Sequence, residues 1–365
     1  MKIGILTFHR AENFGAVLQC LALQNYLISK GNEVEVIDYR NPSIEHQYDI
    51  FNPWCIFQTK SLYGGFCVYV KRFFNFRSRL RKKVLYWKFR NKYIQTSKSY
   101  YSNCKLLPYD AIIVGSDQVW NLNLCDGIDN VYFLHFPTLT GTKKISYAAS
   151  SELNSFALLR EHKQEIANLL NAFDDISVRE RQLQAELNDF VSKNISICID
   201  PTFLMPRKSY EEIAIKPVER KYVLVYHLTE NSDASKLAET ISKEQELSVI
   251  EIHAGFFKTS NKKRHKNSLG PRELLGYIMN ADFIITTSFH GMALSLIFAK
   301  QFVVMRTATI NRMQNLLSAV GLENRIIDGE NDYNGLEPIN YDKVNKRINE
   351  EVSKSKLFLR KSLGQ

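Results

Sequence analysis

The stretch Ile284-Ile285-Thr286-Thr287-Ser288-Phe289-His290-Gly291 sets three hydroxyls and an imidazole at the end of a short apolar run. Met292 to Ala299 follows and reads as the first turns of an apolar helix. In an open α/β sheet, ligands bind beyond the carboxyl ends of the strands. A helix opening there offers free N–H groups and a positive dipole end to a phosphate or carboxylate. Imidazole is the side chain best matched to moving protons near neutral pH, so His290 stands where such chemistry would be placed. A histidine that only closes a loop fits this segment equally well. A second polar group, Gly115-Ser116-Asp117-Gln118, leaves the apolar run Ala111–Val114. Gly115 permits close approach of backbone to a ligand, while Asp117 and Gln118 can accept from and donate to hydroxyls. Asp117 is a candidate second acid or base, or else the cap of the turn that follows. Arg179, after the run Asp175–Val178, should sit at a strand's carboxyl end and clamp an anion with paired N–H groups; the alternative is an ion pair with Glu180. Asn13 and Gly15 mark the start of the first long helix, either a dock for a phosphate or hydroxyl or an ordinary helix entry. His9, on the same loop, ranks behind them. Asp200-Pro201 reads as a structural turn.

These segments fall in order with Ser146-Tyr147-Ala148-Ala149-Ser150, Ser177-Val178-Arg179-Glu180 and Asp200-Pro201-Thr202. In that order and at those separations, the chain resembles the polysaccharide pyruvyl transferase family from Met1 to about Arg325. The glycine-serine-aspartate-glutamine loop and the serine-phenylalanine-histidine-glycine motif are the most specific parts of the match. The resemblance implies transfer of pyruvate from phosphoenolpyruvate to two hydroxyls of one sugar, giving a cyclic ketal and phosphate. It also implies a lipid-linked saccharide acceptor in cell-surface polysaccharide synthesis. Such a donor is protonated at its methylene carbon, and a sugar hydroxyl attacks the oxocarbenium-like centre that results. A second hydroxyl then displaces phosphate. The site needs cationic clamps for two anions and a proton shuttle, with no cofactor and no obligatory metal. The expected catalytic pair is His290 and Asp117. Thr287, Ser288, Phe289, Gly291, Arg179 and Arg312 form the expected donor side, and Asn13, Gly15, Gly115, Ser116 and Gln118 the acceptor side. Family members often carry an arginine two positions before the histidine, where this chain has Ser288. The resemblance places Asn311-Arg312 by the cleft, so Arg312 either supplies that missing cation or is a surface arginine.

The elements that must position these residues follow from the pattern. A chain of 365 residues is long for one core and suits two domains. Strand-like runs at Ile3–Thr7, Glu33–Ile37, Ala111–Val114, Lys144–Ala148, Asp175–Val178 and Ser196–Ile199 alternate with helical ones, notably Ala16–Ser29 and Ser155–Asn171. A second series has strands at Tyr222–His227, Ser248–Ile252, Phe283–Thr286 and Phe302–Val304, with helices that include Gly291–Phe298 and Thr309–Val320. Such alternation predicts doubly wound parallel sheets. The fold class is α/β, with two Rossmann-like domains, 1–205 and 206–340, and a closing helix in 341–365. The family resemblance implies that these halves face a central cleft in the manner of GT-B glycosyltransferases.

Composition narrows the setting. No apolar run approaches 18 residues and no signal-peptide pattern opens the chain. Six cysteines lie without paired or metal-ligand spacing, which fits a reducing cytoplasm. Between Ile50 and Tyr109 there are thirteen Lys and Arg and no acid, against a whole-chain charge of +10. Aromatics, among them Tyr86, Trp87 and Phe89, are interleaved. Such a mixture over 60–105 suits the inner face of an anionic membrane, or a solvated helix whose aromatics face the core. Nucleic acid is not expected, because no recognition motif accompanies the basic run. Two further classes stay open: a nucleotide-sugar glycosyltransferase, for which Glu273 is the one weak ribose-gripping candidate, and an inactive binding module, because Ser288 replaces an arginine.

Overall fold

The computed structural model describes residues 1–48, 76–100, 108–254, 263–307, 310–334 and 336–365. The first half contributes β1 (Lys2–Leu6), β2 (Glu33–Val36), β3 (Ala111–Val114), β4 (Lys143–Ala149), β5 (Asp175–Val178) and β6 (Ile195–Ile197). They form one sheet in the order β2-β1-β3-β4-β5-β6, parallel throughout. The second half contributes β7 (Tyr222–His227), β8 (Ser248–His253), β9 (His265–Lys266), β10 (Phe283–Thr286), β11 (Gln301–Met305) and β12 (Ile326–Ile327). These also pair in parallel, in the order β12-β11-β10-β7-β8-β9. The two Rossmann-like sheets are the expected α/β fold. All ten expected strands are present, and β9 and β12, two residues each, are additional. Runs such as β3 and β10 are buried at every position, as parallel strands covered on both faces must be.

In the first sheet the chain order reverses between β1 and β3, and in the second between β7 and β10. Such switch points open a crevice at the strands' carboxyl ends. The loops leaving these four strands carry Asn13, Gly115–Gln118, Leu228 and Ser288–His290.

Three apolar clusters hold the layers. One covers the outer face of the first sheet, around Trp120, Phe133 and Phe173. Another covers a face of the second sheet, around Val225, Leu237 and Ile285. The third runs between the halves and joins Leu18 and Leu21 to Tyr226, Leu275, Phe298 and Val352. The helix Phe14–Ile28 lies within this cluster with nearly every residue buried, which is why its apolar residues occupy all faces instead of one stripe.

Three helical expectations are amended. The Ser155–Asn171 run is broken at His162 into Phe156–Glu161 and Lys163–Asn171. The helix expected from Gly291 opens two residues earlier, at Phe289, with Ser288 as its cap. Thr309 lies outside the described residues, and its helix runs Asn311–Val320. The closing helix Tyr341–Leu363 returns to the first sheet. There Ser355 Oγ accepts from the Ile199 N–H at 2.9 Å, and Lys143 Nζ donates to the Ser362 carbonyl at 2.8 Å.

Of the basic segment, residues 50–75 and 101–107 lie outside the described residues, and with them Lys60, Lys71, Arg72, Phe73, Phe74 and Lys105. Phe76–Tyr93 is a helix with Tyr86 and Phe89 buried. Tyr86 therefore faces the core and cannot sit at headgroup level. Lys82 is likewise turned inward, donating to the Ala254 carbonyl at 3.1 Å. Among the described residues, no helix is long and apolar enough to cross a membrane. Cys20, Cys125 and Cys198 are buried free thiols; Cys55, Cys67 and Cys104 fall outside the described residues.

Candidate active site

Where the two halves meet, the His290 ring lies flat against Gly15. A Cβ built at Gly15 would fall 2.1 Å from His290 Nδ1 and 2.4 Å from its Cγ. Only glycine lets the entry of the first helix approach the imidazole so closely. The other edge of the ring points to Asp200, with Nε2 3.6 Å from Oδ2. His290 is buried and Asp200 almost wholly so.

Asp200 is the centre of a buried polar network. Its Oδ1 accepts from the Thr202 N–H at 3.0 Å and the Thr202 hydroxyl at 2.8 Å. Its Oδ2 accepts from Arg179 Nη1 at 2.6 Å and from Ser116 Oγ at 3.4 Å. Burial pushes this carboxyl up, but His290, Arg179 and the Thr202 N–H outweigh it and hold Asp200 well below the usual carboxylate range. Arg179 is bound on each of its nitrogens: Nε donates to Glu180 at 2.9 Å, Nη2 to Ser150 Oγ at 2.9 Å, and Nη1 to Asp200. Its guanidinium also lies 4.3 Å over the Phe289 ring, a cation–π contact. Burial opposes its charge, yet Glu180, Asp200 and Asp117 together hold it above the ordinary arginine value.

Arg312 reaches across from the second half and donates to Glu152 at 3.0 Å. Burial and the nearby Arg179 both lower its proton affinity. Three buried polar atoms of this region, His290 Nε2, Glu180 Oε2 and Arg312 Nε, have no hydrogen-bond partner among the described residues. Unpaired buried groups are rare and costly in proteins, and two guanidiniums side by side favour an anion between them.

A profile of the family described as polysaccharide pyruvyl transferase matches residues 13–308. The chain belongs to that family. Among curated proteins none matches in sequence. Solved structures of similar shape include the UDP-GlcNAc 2-epimerase from Neisseria meningitidis bound to UDP-GlcNAc, at 9% identity and TM-score 0.45, covering 99% of this chain and 94% of that one. A putative UDP-N-acetylglucosamine 2-epimerase from Listeria monocytogenes has 9% identity and TM-score 0.48 over 96% and 88% of the chains. The E. coli heptosyltransferase WaaC with ADP has 12% identity and TM-score 0.39 over 96% and 100%.

In this member of the pyruvyl transferase family, the expected site residues divide into two groups. His290, Phe289, Arg179, Ser116 and Gly15 converge, with Arg312 at their margin. Gly115, with φ at +108°, packs so tightly under the Tyr147 carbonyl that a Cβ would lie 2.4 Å away. Asp117 is half-buried, adopts φ +73°, and its Oδ1 accepts from the Gln118 N–H at 2.9 Å. It therefore caps the turn. Gln118 donates to Glu152 at 3.2 Å, the same carboxylate that Arg312 holds. The remaining residues are engaged in structure. Asn13 Oδ1 caps the first helix through the Gly15 N–H at 2.9 Å. The Thr287 hydroxyl ties the Leu228 and Thr229 backbone, and Thr286 donates to the Tyr226 carbonyl. Ser288 Oγ takes the Gly291 N–H at 3.3 Å. The two threonine hydroxyls and that N–H are engaged locally, and Ser288 Oγ serves there as an acceptor. His9 is bound to Asp38 at 2.9 Å, apart from this group. Glu273 lines a surface pocket with Trp87 and Ile215, beside the basic helix.

Sequence reasoning assigned Asp200 a turn. That turn exists, capping Pro201–Leu204, but the same carboxylate also joins Arg179 to His290. The missed signal was an acid at the carboxyl end of each of two neighbouring strands, Glu180 after β5 and Asp200 after β6, flanking one arginine.

Proposed function

We propose that this protein transfers the pyruvyl group of phosphoenolpyruvate to two hydroxyls of a sugar in a cell-surface polysaccharide precursor. The observation that carries the reading is the buried His290–Asp200–Arg179 cluster, closed by Arg312, inside a chain of the polysaccharide pyruvyl transferase family. Asp200, held ionised, faces Nε2 of the imidazole and orients the ring. His290 gives a proton to the donor's methylene carbon, making the methyl group. The first sugar hydroxyl adds to the neighbouring carbon and loses its proton to Asp117 or to the neutral imidazole. Phosphate then leaves with its electron pair and the second hydroxyl closes the ketal, its proton passing out with phosphate. Arg179 and Arg312 hold the donor's carboxylate and phosphate, which takes over the task of the arginine absent at Ser288. Arg179 keeps two N–H groups beyond those spent on Asp200, Glu180 and Ser150, enough for one anion oxygen pair.

The acceptor enters through a cavity of about 180 Å³ between the halves, lined by Glu12, Asn13, Phe14, Tyr48, Lys82 and Tyr226. Burial raises the Glu12 carboxyl above its ordinary value. We place the enzyme at the inner face of an anionic membrane, where a lipid-linked acceptor would be held. Support comes from the solvent face of Phe76–Tyr93, where Leu80, Val84 and Trp87 are exposed at helical spacing among Arg77, Arg81, Lys88 and Lys92.

The test is donor identity. Phosphoenolpyruvate should raise the thermal midpoint, because a ligand that binds only the folded state stabilises it. It should also release phosphate when lipid-linked saccharides are added. Stabilisation by a nucleotide sugar, with none by phosphoenolpyruvate, would overturn the assignment.

A further inference from the structure

Away from His290, around the carboxyl ends of β7 and β8 and the first residue of β9, three imidazoles and a carboxylate converge. His227 Nε2 lies 3.1 Å from Glu251 Oε2. His253 Nε2 and His265 Nδ1 lie 3.0 Å apart, and 4.0 and 3.9 Å from the same oxygen. One ligand atom from each of His227, Glu251 and His253 falls within 4.8 Å of the others. A tetrahedral zinc with bonds of about 2.0–2.1 Å separates its ligand atoms by about 3.3 Å, and the observed spacings straddle that edge. The His227 and Glu251 side chains are 1% and 3% exposed, that of His253 1% and that of His265 14%.

The surroundings are those of a built site. Glu230 accepts from His253 Nδ1 at 2.7 Å and so turns Nε2 towards the centre. Carboxylates behind metal-bound histidines act in this way. Arg264 grips Glu251 Oε1 through Nε at 2.7 Å and Nη2 at 2.6 Å, leaving Oε2 to face the imidazoles.

We propose that His227, Glu251, His253 and His265 bind one divalent transition-metal ion, zinc by the chemistry of its donors. Three imidazole nitrogens and one carboxylate oxygen are donors that suit zinc over the harder calcium or magnesium. Four protein ligands close the coordination sphere, so the ion is structural and has no role in the transfer reaction. It pins β9, which has two residues and, among the described residues, pairs with β8 at Glu251↔His265 and Ile252↔Lys266.

The full-length protein, stripped with a chelator and titrated calorimetrically with zinc chloride, should bind one equivalent and gain thermal stability. Cobalt(II) should give the visible absorption of a tetrahedral ion, discharged by zinc. His265→Asn, at the rim of the cluster, should abolish both signals, and Glu230→Gln should weaken zinc binding roughly 10–100-fold. His46→Asn, on a separate helix, should bind as the wild type does. Absence of stoichiometric binding by the wild type, or a six-coordinate cobalt spectrum, overturns the proposal. So does binding unchanged in His265→Asn. If that variant does not fold, the wild-type cobalt spectrum decides alone.

Discussion

At the scale of single residues, the His290 imidazole lies between a glycine and a carboxylate, and each contact has its own consequence. His290→Ala should lower turnover by roughly two to four orders of magnitude, the usual scale for a positioned acid–base group, with donor affinity much less changed. Steady-state phosphate release together with donor-induced thermal shifts would separate the two effects. Gly15→Ala would place a methyl group against the ring. Displacement of a reacting group by about 1 Å costs roughly 100-fold, so this variant should fold yet turn over slowly. Asp200 should act on stability as well. Its carboxyl is held below the unfolded value of about 3.9, so the stability it contributes is present above that pH and is lost as pH falls through the depressed folded value. Asp200→Asn, which leaves Glu180 as the carboxylate partner of Arg179, should cost about 1.5–3 kcal/mol at neutral pH, the range for a lost charged hydrogen bond. It should also show a shallower loss of thermal midpoint than the wild type below about pH 4. An equal acid limb in both proteins would show that this carboxylate is not the group involved. The histidine motif was legible from its place after an apolar run. Its partner was not, because Asp200 comes from a different strand and only the β5–β6 pairing brings it beside Arg179.

Among the elements, the Phe76–Tyr93 helix shows how one composition supports two readings. Its charges and aromatics were evident, but their partition required knowledge of what the helix packs on. Tyr86 and Phe89 face inward, whereas Leu80, Val84 and Trp87 are 42%, 39% and 56% exposed. Strands were legible nearly to the residue because buried parallel strands are short, apolar and bounded by polar loops. β9 and β12 were missed because two-residue strands carry no period. Exposed apolar residues in a stripe flanked by cations suit the interface of an anionic bilayer, and each cation near such a surface contributes about 1 kcal/mol. Wild-type protein should therefore co-sediment with anionic vesicles and not with neutral ones, less so as salt is raised. Changing Arg81, Lys88 and Lys92 to glutamine together with Trp87→Ala should remove that binding while leaving turnover on a soluble acceptor intact. Sedimentation indifferent to lipid charge would make this face an ordinary solvated surface.

For the molecule as a whole, the two sheets were foreseeable from alternation, but the way they are fastened was not. A shared apolar cluster, the Arg312–Glu152 pair and the Gly15–His290 contact cross between halves, and contacts so distant in sequence leave no local pattern. The helix Tyr341–Leu363 belongs by position to the second half, yet it settles on β4 and on the Ile199 backbone of the first. On the ribosome, the half synthesised first therefore waits for a segment translated long after it. Until then, the Ile199 amide and the apolar surface around Tyr147 lack the partners they have in the finished protein. Nascent chains arrested at Asn340 should consequently be cut by protease within residues 1–200 more readily than chains arrested beyond a linker after Gln365. Equal protection at both lengths would mean that the first half completes itself alone. Otherwise the helix Tyr341–Leu363 is a checkpoint on synthesis, and a chain truncated before it should be degraded instead of lingering with half a fold.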